Sequence, residues 1–210
     1  PFYLIETNHM KVNNDFLNLG YTIIDNFLPL SVAKELQSMY LNETNWEFFS
    51  QERPDHYKHV FKLDSTYHPQ DNESYSARFN RSSNLEDNPK IKEIFNQYFI
   101  PQTKEISNLE LTDFDMRCMS LNKEDHYRTH IDSYAGKVNI IYYINEKWIW
   151  DWGGILHIGS TTNDEFIKPI LPKFNRCIFL YNEKFNAPHF VSAVAPFAQN
   201  SRYSLVSFNK

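Results

Sequence analysis

The spacing of apolar residues changes near residue 110 and divides the chain into two parts. In the first part, residues 20–27 are typical of a short strand, and a helix with apolar residues at every third or fourth position is predicted from Pro29. A second amphipathic helix is predicted from about Asn88. The polar, turn-rich segment from Gln51 to Asn84 predicts a long loop, and loops of this length are usually functional or mobile.

Beyond residue 110, short β-branched and aromatic runs alternate with turn residues, a pattern typical of sandwiches and barrels. The predicted strands lie near residues 112–121, 127–132, 137–145, 154–159, 167–171, 176–181, 188–194 and 201–209. We therefore expect a mainly β fold with supporting helices, of the α+β class. Its core would be a jelly roll (a cupin-like double-stranded β-helix) with N-terminal helices packed on one face. Residues 1–210 would form one domain, in which 1–110 give helical support and the long loop, and 111–210 give the core.

Composition narrows the class of protein. Aromatic residues make up 16% of the 210 residues and only 5 are glycine, which favours a packed fold over disorder. The net charge of -5 and the scattered basic residues give no reason to expect a nucleic-acid partner. Cys118 and Cys177 are expected to be buried free thiols. No signal peptide or membrane span is evident, so a cytoplasmic protein is expected.

The tripeptide His130-Ile131-Asp132 falls on a predicted strand, where residues two apart share a face. An imidazole and a carboxylate would then project together into the barrel, where a bound metal would offset the cost of the buried charge. Taken alone, such a tripeptide is more often a hydrogen-bonded pair on a solvated face. His189 on another predicted strand favours a metal, because two histidines and one carboxylate are the ligands of non-haem Fe(II) oxygenases. Zinc remains open as an alternative metal.

Arg202 lies in an otherwise apolar terminal strand. A buried arginine needs an anion, and its planar fork suits bidentate binding of a carboxylate. The alternative is a surface arginine on an edge strand. The Gly153-Gly154 pair is not followed by Lys-Ser/Thr, so it predicts a turn or a close backbone approach and not a phosphate loop.

Three segments of the C-terminal half resemble a known family. Residues 137–148, 153–156 and 172–176 are similar to prolyl hydroxylases of the oxygen-sensing type. The wider 2-oxoglutarate oxygenase superfamily shares the order His-x-Asp, His, Arg. The resemblance covers about residues 110–210. It implies Fe(II), 2-oxoglutarate and O2 as cofactor and co-substrates, with ascorbate as a reductant.

The resemblance also implies a role for individual residues. His130, Asp132 and His189 would be the metal ligands, Arg202 and Tyr143 would bind the far carboxylate of 2-oxoglutarate, and Tyr127 and Phe208 would contact the substrate. Three features depart from the family pattern, and the first is a shorter loop from Asp132 to Tyr143. Ser120 stands where the family has a tyrosine ten residues before the first ligand, and Val206 replaces a polar residue.

The expected reaction is hydroxylation of a C–H bond, with succinate and CO2 as co-products. The expected substrate is a prolyl residue in a peptide or protein. A free amino acid or another small molecule is the alternative substrate. A non-catalytic binding module on the same fold is a more distant alternative, because such a module has little need for the three metal ligands and the arginine together.

Overall fold

The computed structural model describes residues 16–53, 75–132, 136–159, 167–182, 185 and 187–209. Its helical elements are α1 (Leu30–Asn42), α2 (Ser83–Asp87), α3 (Pro89–Ile94), a π-helical turn (Phe95–Phe99), α4 (Ile100–Ser107) and a 3-10 turn (Trp150–Trp152). The first strands are β1 (Tyr21–Asp25), β2 (Glu47–Arg53), β3 (Tyr75–Arg81), β4 (Asp115–Leu121) and β5 (His126–His130). The others are β6 (Val138–Tyr143), β7 (Leu156–Gly159), β8 (Ile167–Ile170), β9 (Arg176–Tyr181), β10 (His189–Val191) and β11 (Arg202–Phe208).

The strands form two antiparallel layers. One layer has the order β1-β9-β6-β11-β4, and the other has the order β5-β10-β7-β8. Strand β3 connects the layers, because it pairs with β4 near one end and with β5 near the other, and β2 pairs with β3. This arrangement is the predicted jelly roll, and all eight strands predicted beyond residue 110 are present.

The prediction of one long loop from Gln51 to Asn84 is wrong at both of its ends. Its first residues end β2, and its last residues form β3 and the start of α2. Strand β3 was missed because the chain from Tyr75 to Arg81 has few apolar residues and gains its stability from backbone pairing with β2, β4 and β5. Residues 54–74, on which the rest of that prediction falls, lie outside the described residues.

The helices pack on the outer face of the layer that contains β6, as the sequence predicted. Side chains of Leu36, Tyr40 and Phe99 form a buried cluster with Val138, Ile140 and Tyr142 of β6. The intervening residues Ile141 and Tyr143 belong to a second cluster, between the two layers. Every residue of β6 is therefore buried, and successive residues face different environments.

Side-chain caps fix where two of the supporting helices begin. Ser82 accepts a hydrogen bond from the backbone N–H of Leu85 at the start of α2. Asn88 accepts hydrogen bonds from Lys90 and Ile91 at the start of α3, next to Pro89 in the first turn. Helix α2 packs against β4 and α3, and α4 packs against β6.

Two expectations from composition can be compared with the structure. Cys118 and Cys177 are free and fully buried, as predicted. No helix within the described ranges is both long enough and apolar enough to cross a bilayer.

Candidate active site

The candidate metal ligands meet where β5 and β10 pair. His130 ends β5 and lies directly opposite His189, the first residue of β10. The two imidazole rings are 4.3 Å apart between centroids. Asp132 follows two residues after His130, and all three side chains are buried. Residues far apart in sequence are thus brought together by one antiparallel strand pair.

The ring nitrogens of both histidines have defined orientations. Nδ1 of His130 lies 2.7 Å from the Arg128 carbonyl oxygen, and Nδ1 of His189 lies 3.0 Å from that of Ala187. A carbonyl oxygen only accepts, so each Nδ1 carries a hydrogen, and each Nε2 faces Asp132, where it can hold a metal ion as a neutral ring or donate to the carboxylate as a protonated one. The distances are 3.6 Å from His130 Nε2 to Asp132 Oδ1 and 3.2 Å from His189 Nε2 to Asp132 Oδ2. The ligand atoms of the three residues lie within 4.8 Å of one another, which is suitable for one metal ion.

The electrostatics of this cluster favour a bound cation. Burial opposes the charged form of His189, but the Asp132 carboxylate outweighs burial and raises the pKa of that imidazole. A proton and a metal ion would both bind at Nε2 of His189, beside the buried Asp132 carboxylate, so they compete for that nitrogen.

The cluster lines one part of a cavity of about 620 Å³ between the two layers. The register of β6 and β11 places Asn139 opposite Phe208, Ile141 opposite Val206, and Tyr143 opposite Ser204. We call Asn139, Ile141 and Tyr143 the β6 row. Asn139, at one end, bonds to Asp132, and Tyr143 lies at the other end, about 13 Å away along the strand. Arg202 follows two residues beyond Ser204 and also lines the cavity.

Arg202 and Tyr143 form a buried pair of hydrogen-bond donors. The guanidinium carbon of Arg202 lies 4.7 Å from the centroid of the Tyr143 ring. Burial raises the pKa of the Tyr143 phenol, and the neighbouring Arg202 opposes that shift, so the hydroxyl keeps its hydrogen at neutral pH. Neither the Tyr143 hydroxyl nor Nε of Arg202 has a hydrogen-bond partner within the described structure. Unpaired buried donors are costly, and a carboxylate would satisfy both.

Gly154 fixes the path of the Arg202 side chain. Its φ is +61°, and a Cβ atom added there would lie 2.9 Å from Cδ of Arg202. The neighbouring Gly153 also has a positive φ, and its added Cβ would meet the Ala193 carbonyl oxygen. The close backbone approach predicted for this pair is present. Its contact with Arg202 could not be read from the spacing of residues.

Two residues expected to contact substrate also line the cavity. Tyr127 stacks on Phe79, with ring centroids 5.2 Å apart. Phe208 lies beneath the guanidinium group of Arg117, whose carbon is 4.7 Å from the ring centroid. Arg117 also binds the Asp115 carboxylate, so an ion pair and an aromatic ring share one edge of the cavity.

Ser120, ten residues before His130, lies on β4 outside the lining of the cavity. The Ser120 hydroxyl bonds with the Asn122 side chain, and the neighbours Met119 and Leu121 line the cavity instead. Alternation along β4 decides this, because residues one apart point to opposite faces. Two apolar side chains of β4, Met119 and Leu121, therefore form this part of the cavity wall. Val206 lines the cavity.

Asn139 is a residue of the site that sequence reasoning missed. It is the one polar side chain in the apolar strand β6, and it is buried with its amide nitrogen donating to Asp132 Oδ2. A polar residue within an apolar strand was the available signal.

Comparison with known proteins agrees with this geometry. Residues 116–209 match the 2OG-Fe(II) oxygenase superfamily. This segment, which carries the three candidate ligands and Arg202, is of the 2OG-Fe(II) oxygenase type. Similarity to this superfamily implies Fe(II), 2-oxoglutarate and O2, and the His130, Asp132 and His189 cluster fits iron binding.

Solved structures with a similar fold cover both halves of the chain. One similar structure is a prolyl hydroxylase from Trichoplax adhaerens in complex with a hypoxia inducible factor oxygen degradation domain peptide fragment. It has 17% identity and a TM-score of 0.66, with 100% of this chain and 93% of that chain covered. A Pseudomonas putida prolyl-4-hydroxylase has 17% identity and a TM-score of 0.63, with 96% and 98% covered. The epimerase SnoN from nogalamycin biosynthesis, which is alpha-ketoglutarate dependent, has 12% identity and a TM-score of 0.64, with 98% and 83% covered. A search of curated protein sequences finds no match.

Proposed function

We propose that this oxygenase binds one Fe(II) ion through His130, Asp132 and His189 and hydroxylates a prolyl residue in a peptide or protein. The observation that carries the proposal is that one cavity is lined by the three candidate metal ligands and by Arg202, which packs against Tyr143. Three buried ligand atoms converge near one end of the β6 row, and the unpaired donors of Arg202 and Tyr143 lie at the other.

The ligand set suits iron in this role. Two imidazole nitrogens and one carboxylate leave three coordination positions open, whereas zinc sites are usually tetrahedral. When bound, iron and 2-oxoglutarate supply the oxidation, in which 2-oxoglutarate and O2 yield succinate and CO2 while one oxygen atom enters the substrate C–H bond. The protein contributes binding, orientation and exclusion of water.

Arg202 and Tyr143 would hold the far carboxylate of 2-oxoglutarate. The arginine supplies positive charge and a fork of N–H donors, and the tyrosine adds an O–H donor. Ile141 and Val206 line the wall between the two ends of the row and suit the methylene groups of the co-substrate. Apolar walls also exclude water from the reacting end, which strengthens the electrostatic interactions within it.

Tyr127 and Phe208 would contact the substrate that carries the C–H bond. Both aromatic side chains line the cavity, and the pyrrolidine ring of a prolyl residue is a suitable apolar partner for them. We also propose that the chain acts as a single domain, because β1 and β3 from the N-terminal half pair directly with strands of the jelly roll. The wider similarity to two prolyl hydroxylase structures supports the same substrate class.

A small molecule is the second candidate substrate. A cavity of about 620 Å³ is within the range that encloses small ligands. The ion pair between Arg117 and Asp115 at its edge offers charged groups to a polar small molecule. Incubating the iron-loaded enzyme with prolyl peptides, free amino acids and other small molecules, with succinate release as the readout, separates the two candidates. Oxygen addition to a free amino acid and to no prolyl peptide would exclude the first.

The metal and co-substrate assignments are tested by anaerobic titration. Fe(II) and 2-oxoglutarate are added to the metal-free protein, and the visible charge-transfer band of a chelated keto acid is recorded. We expect the band in the wild type, its loss in His130→Ala, and a need for much more 2-oxoglutarate in Arg202→Ala. Absence of the band in the wild type would overturn the proposed mechanism and favour another metal or a binding module without turnover. Repeating turnover with and without ascorbate tests the proposed reductant.

A further inference from the structure

Asn139 differs from the other buried asparagines that hold the fold together. In Asn145, Asn175 and Asn209, the amide nitrogen donates to a backbone carbonyl and the amide oxygen accepts a hydrogen bond. Each of these side chains is satisfied at both ends. Asn139 is just as buried, but its amide oxygen has no hydrogen-bond partner within the described residues.

The orientation of the Asn139 amide follows from its partner. Its Nδ2 donates to Oδ2 of Asp132, and an ionised carboxylate can only accept. The amide nitrogen must therefore face Asp132, which leaves the amide oxygen on the opposite side without a donor. A side chain placed only to stabilise the fold would not be expected to leave a buried acceptor unpaired.

We propose that Asn139 is a positioning residue that orients the Asp132 carboxylate for metal binding. The inference rests on the proposed function of His130, Asp132 and His189 as the metal ligands. A hydrogen bond to Oδ2 fixes the rotation of the carboxylate and occupies one of its oxygens, which favours coordination through the other. Oδ1 is that other oxygen and lies 3.6 Å from Nε2 of His130, whereas Oδ2, which accepts from Asn139, lies 3.2 Å from Nε2 of His189.

Coordination through a single carboxylate oxygen has a chemical consequence. A carboxylate that bound through both oxygens would take one of the three positions that a bidentate keto acid and O2 require. The Asn139 amide thus acts on the metal through Asp132 and helps to keep those positions open. Partners of this kind typically change metal affinity by about 10- to 100-fold when they are removed.

The chain contains a matched control for this interaction. Asn80 is buried on β3, and its Nδ2 donates to Oδ2 of Asp125 at 2.9 Å. This second asparagine–aspartate pair has the same chemistry and lies outside the lining of the cavity. Asn139→Leu and Asn80→Leu therefore remove the same type of hydrogen bond with the same change in side chain.

The experiment measures Fe(II) affinity without oxygen, by competition with a chromogenic chelator, and thermal unfolding of the metal-free protein. We expect Asn139→Leu to weaken Fe(II) binding by about 10- to 100-fold without lowering the unfolding temperature, because it also removes an unpaired acceptor. Asn80→Leu should lower the unfolding temperature and leave Fe(II) affinity within about twofold of the wild type. Asn139→Ala, which adds no volume, should reproduce the loss of affinity if the leucine variant does not fold.

Each outcome has a defined meaning. Fe(II) affinity in Asn139→Ala within about twofold of the wild type would overturn the positioning role. Equal losses of affinity in the Asn139 and Asn80 variants would also overturn it, because stability alone would then explain both. An Fe(II) affinity in His189→Ala equal to that of the wild type would instead overturn the proposed metal site. Failure of the two proposals can therefore be distinguished.

Discussion

The contact between Gly154 and Arg202 leads to a prediction in which a single methyl group weakens co-substrate binding. In Gly154→Ala, the new Cβ would lie 2.9 Å from Cδ of Arg202, well inside ordinary van der Waals contact. Trp148 and Val194 are 3.3 Å away on other sides, so the arginine side chain is the group that moves. The guanidinium group would then lose its alignment with the co-substrate carboxylate.

The magnitude follows from two separate terms. Alanine at a φ of +61° destabilises the fold by about 1–2 kcal/mol, because L-residues avoid this region. A hydrogen bond to a charged group contributes about 1.5–3 kcal/mol, so its loss corresponds to roughly a 10- to 150-fold lower affinity for 2-oxoglutarate. The first term affects stability and the second affects binding, so they can be measured independently.

Gly20→Ala is the matched control for this variant. Gly20 also has a positive φ of +79°, and its added Cβ would meet the ring of Phe185, outside the lining of the cavity. Both variants should unfold at a lower temperature than the wild type. The KM for 2-oxoglutarate, measured by succinate release at saturating iron, should rise only in Gly154→Ala. An unchanged KM in Gly154→Ala, with stability lowered as in the control, would refute the argument that Gly154 positions Arg202.

Three further predictions concern other parts of the chain. Hydrogen bonding to Arg176 is the main cause that lowers the pKa of Asp25 to about 2, so this carboxylate stabilises the fold above pH 4 and loses that contribution as the pH falls towards 2. Asp25→Asn should therefore reduce stability by less than about 1 kcal/mol at pH 7 and hardly at all at pH 2, as measured by urea unfolding; an equal loss at both pH values would contradict the ion-pair explanation. Burial raises the pKa of the Cys118 thiol to about 12 and that of Cys177 above its usual range, so neither should react with a thiol reagent until the protein is unfolded, as mass spectrometry can show. Phe208→Ala should raise the KM for the substrate that undergoes hydroxylation and leave the KM for 2-oxoglutarate unchanged. The reverse result would indicate that Phe208 contacts 2-oxoglutarate and not that substrate.

The strands beyond residue 110 were predictable because each is short, apolar and bounded by turn residues. The association of His130 and Asp132 followed from the two-residue repeat of a strand, and His189 completed a known ligand set. Strands β2 and β3 could not be predicted in the same way, since few of their residues are apolar. Local pattern carries little information about a strand that is stabilised mainly by backbone hydrogen bonds.

The sequence alone also could not show which side chains of a strand face the cavity. Ser120 matches a family tyrosine by its spacing from His130, but only the structure of β4 shows that Met119 and Leu121 are the side chains that reach the cavity. A displacement of one residue reverses the face of every side chain on a strand. The roles of Gly154 and Asn139 were missed for a related reason, because each depends on a contact with a residue from a separate segment.

The alternation along β6 has a consequence for how this enzyme can change over evolutionary time. Val138, Ile140 and Tyr142 pack against the helices, whereas Asn139 and Ile141 line the cavity. Saturation mutagenesis of these codons should give two interleaved sets of variants, one reduced in abundance and the other altered in chemistry at normal abundance. Neighbouring codons are thus under different selective constraints, so the cavity face of this strand can acquire new specificity while the face that packs on the helices is left unchanged.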